Sequence, residues 1–301
     1  MPVSFRSPYP DAPAVWLRGN LHTHTALSDG WAPPKEVVAA YEQEGYDFLA
    51  VTDHDRRESL AELQAATPMA LIEGSEVSAN GPHVLAVGVC RDVAPHPDRQ
   101  AVLNDIAAQT GLAVLNHPNW LTNFSHYPQE LMEALTGYAG LEIYNGVVEW
   151  LEGSALATDR WDRLLSVGRV VWGFANDDAH RALDVGRAWN VAAAADRSVP
   201  SILQALRCGR FYASTGVRID TIACDGSRIR VASRDAQRIR FVGSWGRQLA
   251  LADGDEAEYA ATGEEGPYVR VELLGAGGRM AWTQPFLRSE PSLADGRGAQ
   301  L

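Results

Sequence analysis

The chain has 301 residues, of which 46% are hydrophobic and 21% are charged, a composition typical of a globular protein long enough for a barrel and a smaller second unit. Its formal net charge of -12 argues against a nucleic-acid partner, because binding to a phosphate backbone requires a basic surface. Three scattered cysteines, no recognisable secretory signal and no stretch of membrane-spanning length lead us to expect a reduced, cytoplasmic protein without a membrane partner.

Short apolar runs alternate with helical patterns over the first two thirds of the chain. In chain order, strands are predicted at 15–21, 48–51, 70–72, 112–115, 140–145 and 169–175. Helices are predicted between Pro33 and Gly45 and near 99–110, 129–135, 157–166 and 198–208. Alternation of this kind predicts an α/β fold with a parallel sheet or barrel.

Histidines and carboxylates follow these predicted strands. His22 and His24 come directly after the first strand, and because residues two apart on a strand point the same way, both imidazoles can reach one ion. Asp178 and His180 repeat this spacing after the strand at 169–175. The other candidate ligands are Asp29, His54, Glu76, His83 and His117. Imidazoles and carboxylates without cysteine suit zinc, manganese or iron in hydrolytic sites, so we predict a metal centre where the carboxyl ends of the barrel strands meet.

The pattern changes after Gly216. Short apolar runs at 219–224, 228–232, 238–242, 248–252, 268–274 and 280–282 are separated by turn-forming pairs such as Asp-Gly and Gly-Gly. They predict a small antiparallel β domain with a sandwich-like arrangement. The predicted domains are therefore 14–215 and 216–290. The second contains no histidine, and its acidic stretch 253–258 is predicted to be a solvated loop, so we expect it to supply no metal ligand.

The order of these motifs resembles the signature of the polymerase and histidinol phosphatase (PHP) superfamily of metallohydrolases. The resemblance rests on His22-x-His24, Asp53-His54, Glu76, His83, Asn116-His117-Pro118 and Asp178-x-His180. It implies a distorted (β/α)7 barrel that holds two or three divalent transition metals. It also implies three ligand sets: His22, His24, Glu76 and Asp178 for the first ion, Glu76, His83 and His117 for the second, and Asp29, His54 and His180 for the third. Some members of the superfamily have histidine where this chain has Asp29.

Two further segments, 209–216 and 279–285, resemble one branch of that superfamily. This branch includes carbaryl-hydrolase-like enzymes, which cleave an aryl carbamate ester. The resemblance covers the last third of the chain. It shifts part of the expectation from phosphate esters to other esters or amides.

Several residues close to the predicted ligands are candidates for supporting roles. Arg181, Arg187, Tyr144 and Asn145 are the candidate substrate-binding residues, the arginines because a planar guanidinium matches phosphate oxygens. The acids that flank the ligands are expected either to accept the second ring proton of a ligand histidine or to cap turns, and they are Asp53, Asp55 and Asp177.

Together, the residues and the resemblance predict a metal-dependent hydrolase of a small-molecule substrate. The first hypothesis is a phosphoesterase that cleaves a small phosphate mono- or diester through a metal-bound hydroxide, with Asp178 and His180 as catalytic residues. One alternative is hydrolysis of a carbamate, ester or amide at the same metals. The other is a PHP-like binding or regulatory module without catalysis.

Overall fold

A computed structural model describes residues 3–9 and 14–289. The strands in these residues are β1 (Phe5–Arg6), β2 (Val15–Asn20), β3 (Phe48–Val51), β4 (Ala70–Val77), β5 (Val84–Val87), β6 (Leu112–Leu115), β7 (Gly140–Asn145), β8 (Trp172–Asn176), β9 (Trp189–Ala194), β10 (Phe211–Ser214), β11 (Thr221–Cys224), β12 (Arg228–Ala232), β13 (Ala236–Gly243), β14 (Arg247–Asp253), β15 (Glu256–Ala260), β16 (Tyr268–Gly275), β17 (Met280–Thr283) and β18 (Phe286–Arg288). The α-helices are α1 (Pro34–Gln43), α2 (Ala61–Gln64), α3 (Arg99–Ala108), α4 (Gln129–Ala134), α5 (Thr158–Ser166) and α6 (Val199–Arg207).

The first two thirds of the chain form an α/β unit around one sheet. Its strands lie in the order β10-β9-β2-β3-β4-β5-β6-β7-β8. Seven of them run in the same direction, namely β2, β3, β4, β6, β7, β8 and β10, whereas β5 and β9 run against their neighbours. Two backbone hydrogen bonds bring the end of β8 against the end of β2, from Asp178 N to His22 O and from His24 N to Ala179 O.

The α/β class is confirmed, but the predicted (β/α)7 barrel is not. β4 leads to β5 through a short antiparallel connection in which Val77 lies opposite Val84, and no helix separates the two strands. β9 is likewise antiparallel to β2. The described chain is richer in strands than a repeated β/α pattern would give. For the site, the important consequence is that the carboxyl ends of β2, β3, β4, β6, β7 and β8 still point to one edge of the sheet.

Helices cover the sheet where the sequence pattern places them. α1 buries Val37, Val38 and Tyr41 against the strand residues Leu49 and Val51. α6 lies at the opposite edge from the strand ends, where the indole of Trp172, at the start of β8, donates to Arg207 O at 2.9 Å. All four residues of β3 are buried, as expected for a strand covered on both faces. No helix in the part of the chain that the structure describes is long and apolar enough to cross a membrane.

The strands from β11 to β18 are all antiparallel and form two layers. β11, β12 and β15 make a small sheet, and β13, β14, β16, β17 and β18 extend the large one. Ile229 and Tyr259 of the small sheet share a buried cluster with Phe241 and Val271 of the large sheet. The predicted end of this region, residue 290, lies outside the described residues, and the domain boundaries remain predictions.

The acidic stretch 253–258 is not the loop that the sequence predicts. Glu256–Ala260 forms β15 and pairs with β12. Glu256 and Glu258 point outward along this strand and form ion pairs with Arg230 and Arg228. Cross-strand ion pairs stabilise such an exposed face, so alternation of buried and exposed residues outweighs the local charge density.

A buried ion pair connects α5 with β16. The Arg270 side chain is 1% exposed, and its Nε and Nη2 each donate to a carboxylate oxygen of Asp162 at 2.7 Å. Tyr268 Oη donates to the same carboxylate at 2.7 Å, and Arg270 Nη1 donates to Glu272 at 2.6 Å. Every charged group of this network therefore has a partner, as buried charges require.

Candidate metal centre

All nine predicted ligands lie at one edge of the sheet, around the carboxylate of Glu76. Glu76 belongs to β4, and its position opposite His54 is fixed by a backbone hydrogen bond from Asp55 N to Glu76 O at 2.8 Å. Five imidazole nitrogens lie within 3.3 Å of its two oxygens: His22 Nε2 at 3.2 Å, His24 Nε2 at 3.3 Å, His54 Nδ1 at 3.1 Å, His83 Nδ1 at 2.9 Å and His117 Nε2 at 3.2 Å.

The side chains divide into groups whose candidate ligand atoms lie within 4.8 Å of one another. The groups are His22, His24, Glu76 and Asp178; then His24, Asp29, His54 and His180; then His54, Glu76 and His83; and finally His83, His117 and His126. The first coincides with the set implied for one ion, and the second contains the set implied for the third ion. The remaining two divide the set implied for the second ion, because His117 groups with His126. Within the described residues, all four groups come from positions 22 to 180.

These residues fit divalent metal ions. His22 Nε2, His24 Nδ1, His54 Nδ1 and His117 Nδ1 are buried and make no hydrogen bond, although His22 Nε2 and His54 Nδ1 lie within 3.2 Å of Glu76 Oε2. Buried polar atoms normally have a partner, so nitrogens left without one among carboxylates are typical of a site that binds a cation. The donor set contains imidazoles and carboxylates, which suits zinc, manganese or iron.

Glu142 orients two of the histidines, and the sequence analysis did not identify it as a partner. Its Oε1 lies 2.8 Å from His22 Nδ1, and its Oε2 accepts the backbone N–H of His117 at 2.8 Å. When His22 Nδ1 carries the proton toward Glu142, its Nε2 is free to bind an ion. Asn145 Nδ2 completes this layer by donating to both Glu142, at 2.8 Å, and Asp178, at 3.1 Å.

The flanking acids hold turns and do not contact ring nitrogens. Asp53 accepts hydrogen bonds from the backbone N–H and hydroxyl of Thr25, both at 2.8 Å, and from Ser28 Oγ at 2.6 Å. Asp55 accepts from Ser78, and Asp177 accepts from three backbone N–H groups at 186–188. Of the two roles expected for these acids, the structure shows the turn-forming one.

The turn that carries Asp29 requires glycine at position 30. A Cβ atom there would lie 2.3 Å from the carbonyl oxygen of His24. Gly30 N donates to Thr25 O at 2.8 Å, which closes the turn. Asp29 is thereby placed with its Oδ2 at 3.3 Å from His180 Nε2 and 3.5 Å from His54 Nε2.

Two predicted ligands occupy unusual backbone conformations. His117 has φ 28° and Asp178 has φ 55°, in a region that non-glycine residues rarely adopt. Asp178 is held there by the hydrogen bond from its backbone N–H to His22 O at 3.1 Å. Strain of this kind concentrates at functional sites, where the surrounding structure maintains it.

Carboxylates control the electrostatics of the centre. Burial lowers the pKa of His22, but the charges of Asp178, Glu76 and Glu142 outweigh burial and raise this pKa well above its usual value. His180 behaves similarly: burial opposes its charged form, while the hydrogen bond with Asp29 and the charge of Asp178 raise its pKa to about 9. In both cases the surrounding carboxylates favour the positively charged form of the imidazole.

His126 is a buried residue of the centre that the sequence analysis missed. Its Nε2 accepts the backbone N–H of His83 at 3.0 Å, and its ring lies 4.6 Å from that of His117. Burial, together with His117 and His83, lowers the pKa of His126 to about 2. His126 follows a loop and not a strand, so no strand-end signal could have identified it.

A cavity of about 420 Å³ opens directly on the centre. It is lined by Asp29, His54, Glu76, His83, His117, Trp120, Val147, Val148, Trp150, Leu151, Asp178, His180 and Arg181. Of the four predicted substrate-binding residues, Arg181 lies in this lining. Its guanidinium also forms a two-point contact with the buried Asp184, at 2.8 and 3.2 Å.

The other three lie outside the lining described for this cavity. Arg187 lies 4.9 Å from the centre of the Trp150 ring and 3.6 Å from Glu149. Tyr144 donates its hydroxyl to Glu149, and Asn145 is buried beneath Asp178. These three side chains therefore contact other protein groups and do not belong to the described lining of the cavity.

The fold and the donor set define an α/β protein with a histidine–carboxylate centre suited to divalent cations. A family model described as PHP-associated matches residues 171–211. No curated protein matches the sequence. The chain is similar in structure to a two-domain protein from Bacteroides vulgatus that contains a predicted PHP-like metal-dependent phosphoesterase, with 16% identity and a TM-score of 0.54 over 96% of this chain and 98% of that one.

Two further structures resemble parts of the chain. One is a metal-dependent phosphoesterase candidate from Bifidobacterium adolescentis, with 15% identity and a TM-score of 0.45 over 57% of this chain and 89% of that one. The other is a lesion-specific endonuclease from Pyrococcus furiosus, with 13% identity and a TM-score of 0.47 over 64% of this chain and 56% of that one. The chain therefore shares its fold with the Bacteroides protein, and its residues 171–211 are similar to the PHP-associated family model. Neither comparison favours the carbaryl-hydrolase-like branch of the PHP superfamily.

Proposed function

We propose that this protein is a metal-dependent hydrolase, and specifically a phosphoesterase that cleaves a small phosphate mono- or diester. The observation that carries the proposal is the group formed by His22, His24, Glu76 and Asp178 beside an open cavity. The PHP-associated match and the phosphoesterase named for the Bacteroides protein give it further support. An inactive binding module is less favoured, because every predicted ligand is present around Glu76.

Two or three divalent transition metals bound by the nine predicted ligands would supply charge that lowers the pKa of water to about 7 and stabilises a phosphoryl transition state. The chain's own residues hold this site in place. Asp178 Oδ1 lies 3.1 Å from both His22 Nε2 and His24 Nε2, while Asn145 holds its Oδ2. Asp178 and His180 both line the cavity, and we propose that they contact the reacting atoms.

Hydrolysis of a carbamate, ester or amide at the same centre is the second candidate. Two observations favour it. The Arg181 guanidinium is already paired with the buried Asp184, which reduces the positive charge available to a phosphate dianion. The cavity is also lined by five apolar side chains, which suit an uncharged ester as well as a phosphodiester.

The first prediction concerns metal content. Because the nine predicted ligands are enough for three sites when Glu76 is shared by two of the implied sets, protein prepared with added Zn²⁺, Mn²⁺ or Fe²⁺ should retain two or three ions per chain. Elemental analysis after gel filtration would measure the ratio. A value below one ion per chain would contradict both the assigned centre and the proposed chemistry.

The second prediction separates the two candidate functions. If the substrate is a phosphoester, Arg181→Ala should raise KM by about 10-fold and weaken inhibition by inorganic phosphate, because charged hydrogen bonds to the substrate are lost. Metal content should not change. Arg91→Ala is the matched control, since Arg91 is exposed and pairs with Asp105 away from the cavity. Faster hydrolysis of aryl esters or carbamates than of any phosphoester, without phosphate inhibition, would favour the second candidate.

A further inference from the structure

A tyrosine of helix α1 connects two chain segments that carry predicted metal ligands. Tyr41 is completely buried, and its hydroxyl takes part in three hydrogen bonds. Asn20 Nδ2 donates to Tyr41 Oη at 3.0 Å, and Thr23 Oγ1 donates to the same oxygen at 3.2 Å. Tyr41 Oη in turn donates to Asp177 Oδ2 at 3.0 Å. A phenol hydroxyl has one proton to donate and two lone pairs, so these contacts use all of its hydrogen-bonding capacity.

On the β2 side, the hydroxyl reaches the segment that carries two predicted ligands. Asn20 Oδ1 accepts the backbone N–H of His22 at 3.0 Å, while Asn20 Nδ2 donates to Tyr41. Thr23, the second donor to Tyr41, lies between His22 and His24 in the chain. The side chains of Asn20 and Thr23 therefore tie this segment to helix α1.

On the β8 side, the hydroxyl reaches the residue before Asp178. Asp177 is buried, and its carboxylate also accepts the backbone N–H groups of residues 186–188 at 2.7 to 3.0 Å. Burial, followed by the charge of Asp177, raises the pKa of Tyr41 well above its usual value, so the hydroxyl keeps its proton and donates to this carboxylate. Asp177 is thus fixed from two directions, immediately before the residue that supplies a ligand.

Among the described strands, no continuous ladder joins β2 to β8, although both contribute to the first ligand group. Their ends meet through an isolated bridge between Thr23 and Ala179 and through two backbone hydrogen bonds. Tyr41 Oη adds a side-chain link across the same junction, because it bonds to Thr23 on one side and to Asp177 on the other. The geometry of the ligand group depends on this junction, since its members come from both sides.

We propose that Tyr41 is a positioning residue for the first ligand group, His22, His24, Glu76 and Asp178. The inference rests on the proposed hydrolase function, because it concerns the centre at which hydrolysis would occur. Tyr41 does not belong to the described lining of the cavity, so it acts through the residues that it bonds and not on the substrate. Residues that orient metal ligands in this way contribute about 10-fold to 100-fold to metal affinity or activity.

The test uses Tyr41→Phe, which removes only the hydroxyl and keeps the buried ring. Tyr138→Phe is the matched control, since Tyr138 is also buried and its hydroxyl donates to Met132 O at 2.8 Å, in a segment without predicted ligands. The full chain of each variant is freed of metal, and its Zn²⁺ affinity is measured by competition with a chromophoric chelator. Absorption spectra with Co²⁺ report the geometry around the bound ion, and thermal melts of the metal-free proteins report their stability.

We expect at least one Zn²⁺ ion to bind about 10-fold more weakly to Tyr41→Phe than to the wild type, with altered Co²⁺ absorption bands. Tyr138→Phe should keep the wild-type affinity and bands, even if both variants melt at a lower temperature. Unchanged Zn²⁺ affinity in Tyr41→Phe, or an equal loss in both variants, would overturn the positioning role and leave the proposed hydrolase function intact. Wild-type protein that binds neither Zn²⁺ nor Co²⁺ would reject the metal centre itself, and the positioning role with it.

Discussion

Asp178→Ala and His24→Ala should each abolish hydrolysis while the fold stays largely intact. Asp178 Oδ1 is 3.1 Å from His24 Nε2, and both side chains contact the group around Glu76. Loss even of residues that only orient metal ligands costs about 10-fold to 100-fold in metal affinity or rate, so removal of a ligand should cost at least about 100-fold. Measurements of kcat/KM and of bound metal in the same preparations would show this.

Asp253→Ala is the matched control for these variants. Asp253 is exposed at the end of β14 and pairs with Arg238, far along the chain from the centre. The control should keep both its metal and its activity. Thermal melts are needed beside the assays, because loss of metal can itself destabilise a metalloprotein. Wild-type turnover in both Asp178→Ala and His24→Ala would show that the centre has been assigned to the wrong residues.

The largest effect on stability is expected from Asp162→Ala. This change leaves the guanidinium of Arg270 buried with only Glu272 as a charged partner, and it removes the acceptor for Tyr268. Breaking a buried ion pair by removal of one partner costs about 3–5 kcal/mol. We therefore expect the free energy of unfolding, measured by denaturant titration, to fall by about 3 kcal/mol or more.

Two comparisons make this result specific. Asp253→Ala breaks the exposed pair with Arg238 and should cost at most about 1 kcal/mol. Metal content of folded Asp162→Ala should match that of the wild type, because Asp162 belongs to none of the candidate ligand groups. A loss no greater than that of Asp253→Ala would mean that the buried network contributes little to stability.

Strand ends were the part of the site that sequence could predict. A run such as Phe48–Val51 is recognisable because every residue in it is buried, and the polar residue that follows must lie at an edge of the sheet. His54 and Glu76 were predicted in this way, although Glu76 lies inside β4 and not after it. The direction of a short strand carries no comparable signal. Val84–Val87 looks like any other buried strand, and only tertiary pairing makes it antiparallel to both neighbours.

Residues that support the site through long-range contacts were harder to predict. Glu142 is a member of β7, and nothing local distinguishes a carboxylate that orients His22, 120 positions away, from an ordinary buried acid. His126 reaches His83 through a folded loop. The pairing of Arg181 with Asp184 is local, yet its effect on the positive charge available to a substrate depends on the burial of Asp184. Such effects follow from the packed structure and not from sequence patterns.

The pairing of β10 with β17 limits how the molecule can move. β10 lies between β9 and β17 in one continuous ladder, with Tyr212 opposite Val191 on one side and Thr283 on the other. A hinge at residue 216 would have to break the hydrogen bonds of this ladder, which makes rigid-body opening between the two regions costly. In the proposed hydrolase, substrate would therefore enter and product leave past the exposed side chains of Leu121 and Trp150, without rotation of one region against the other.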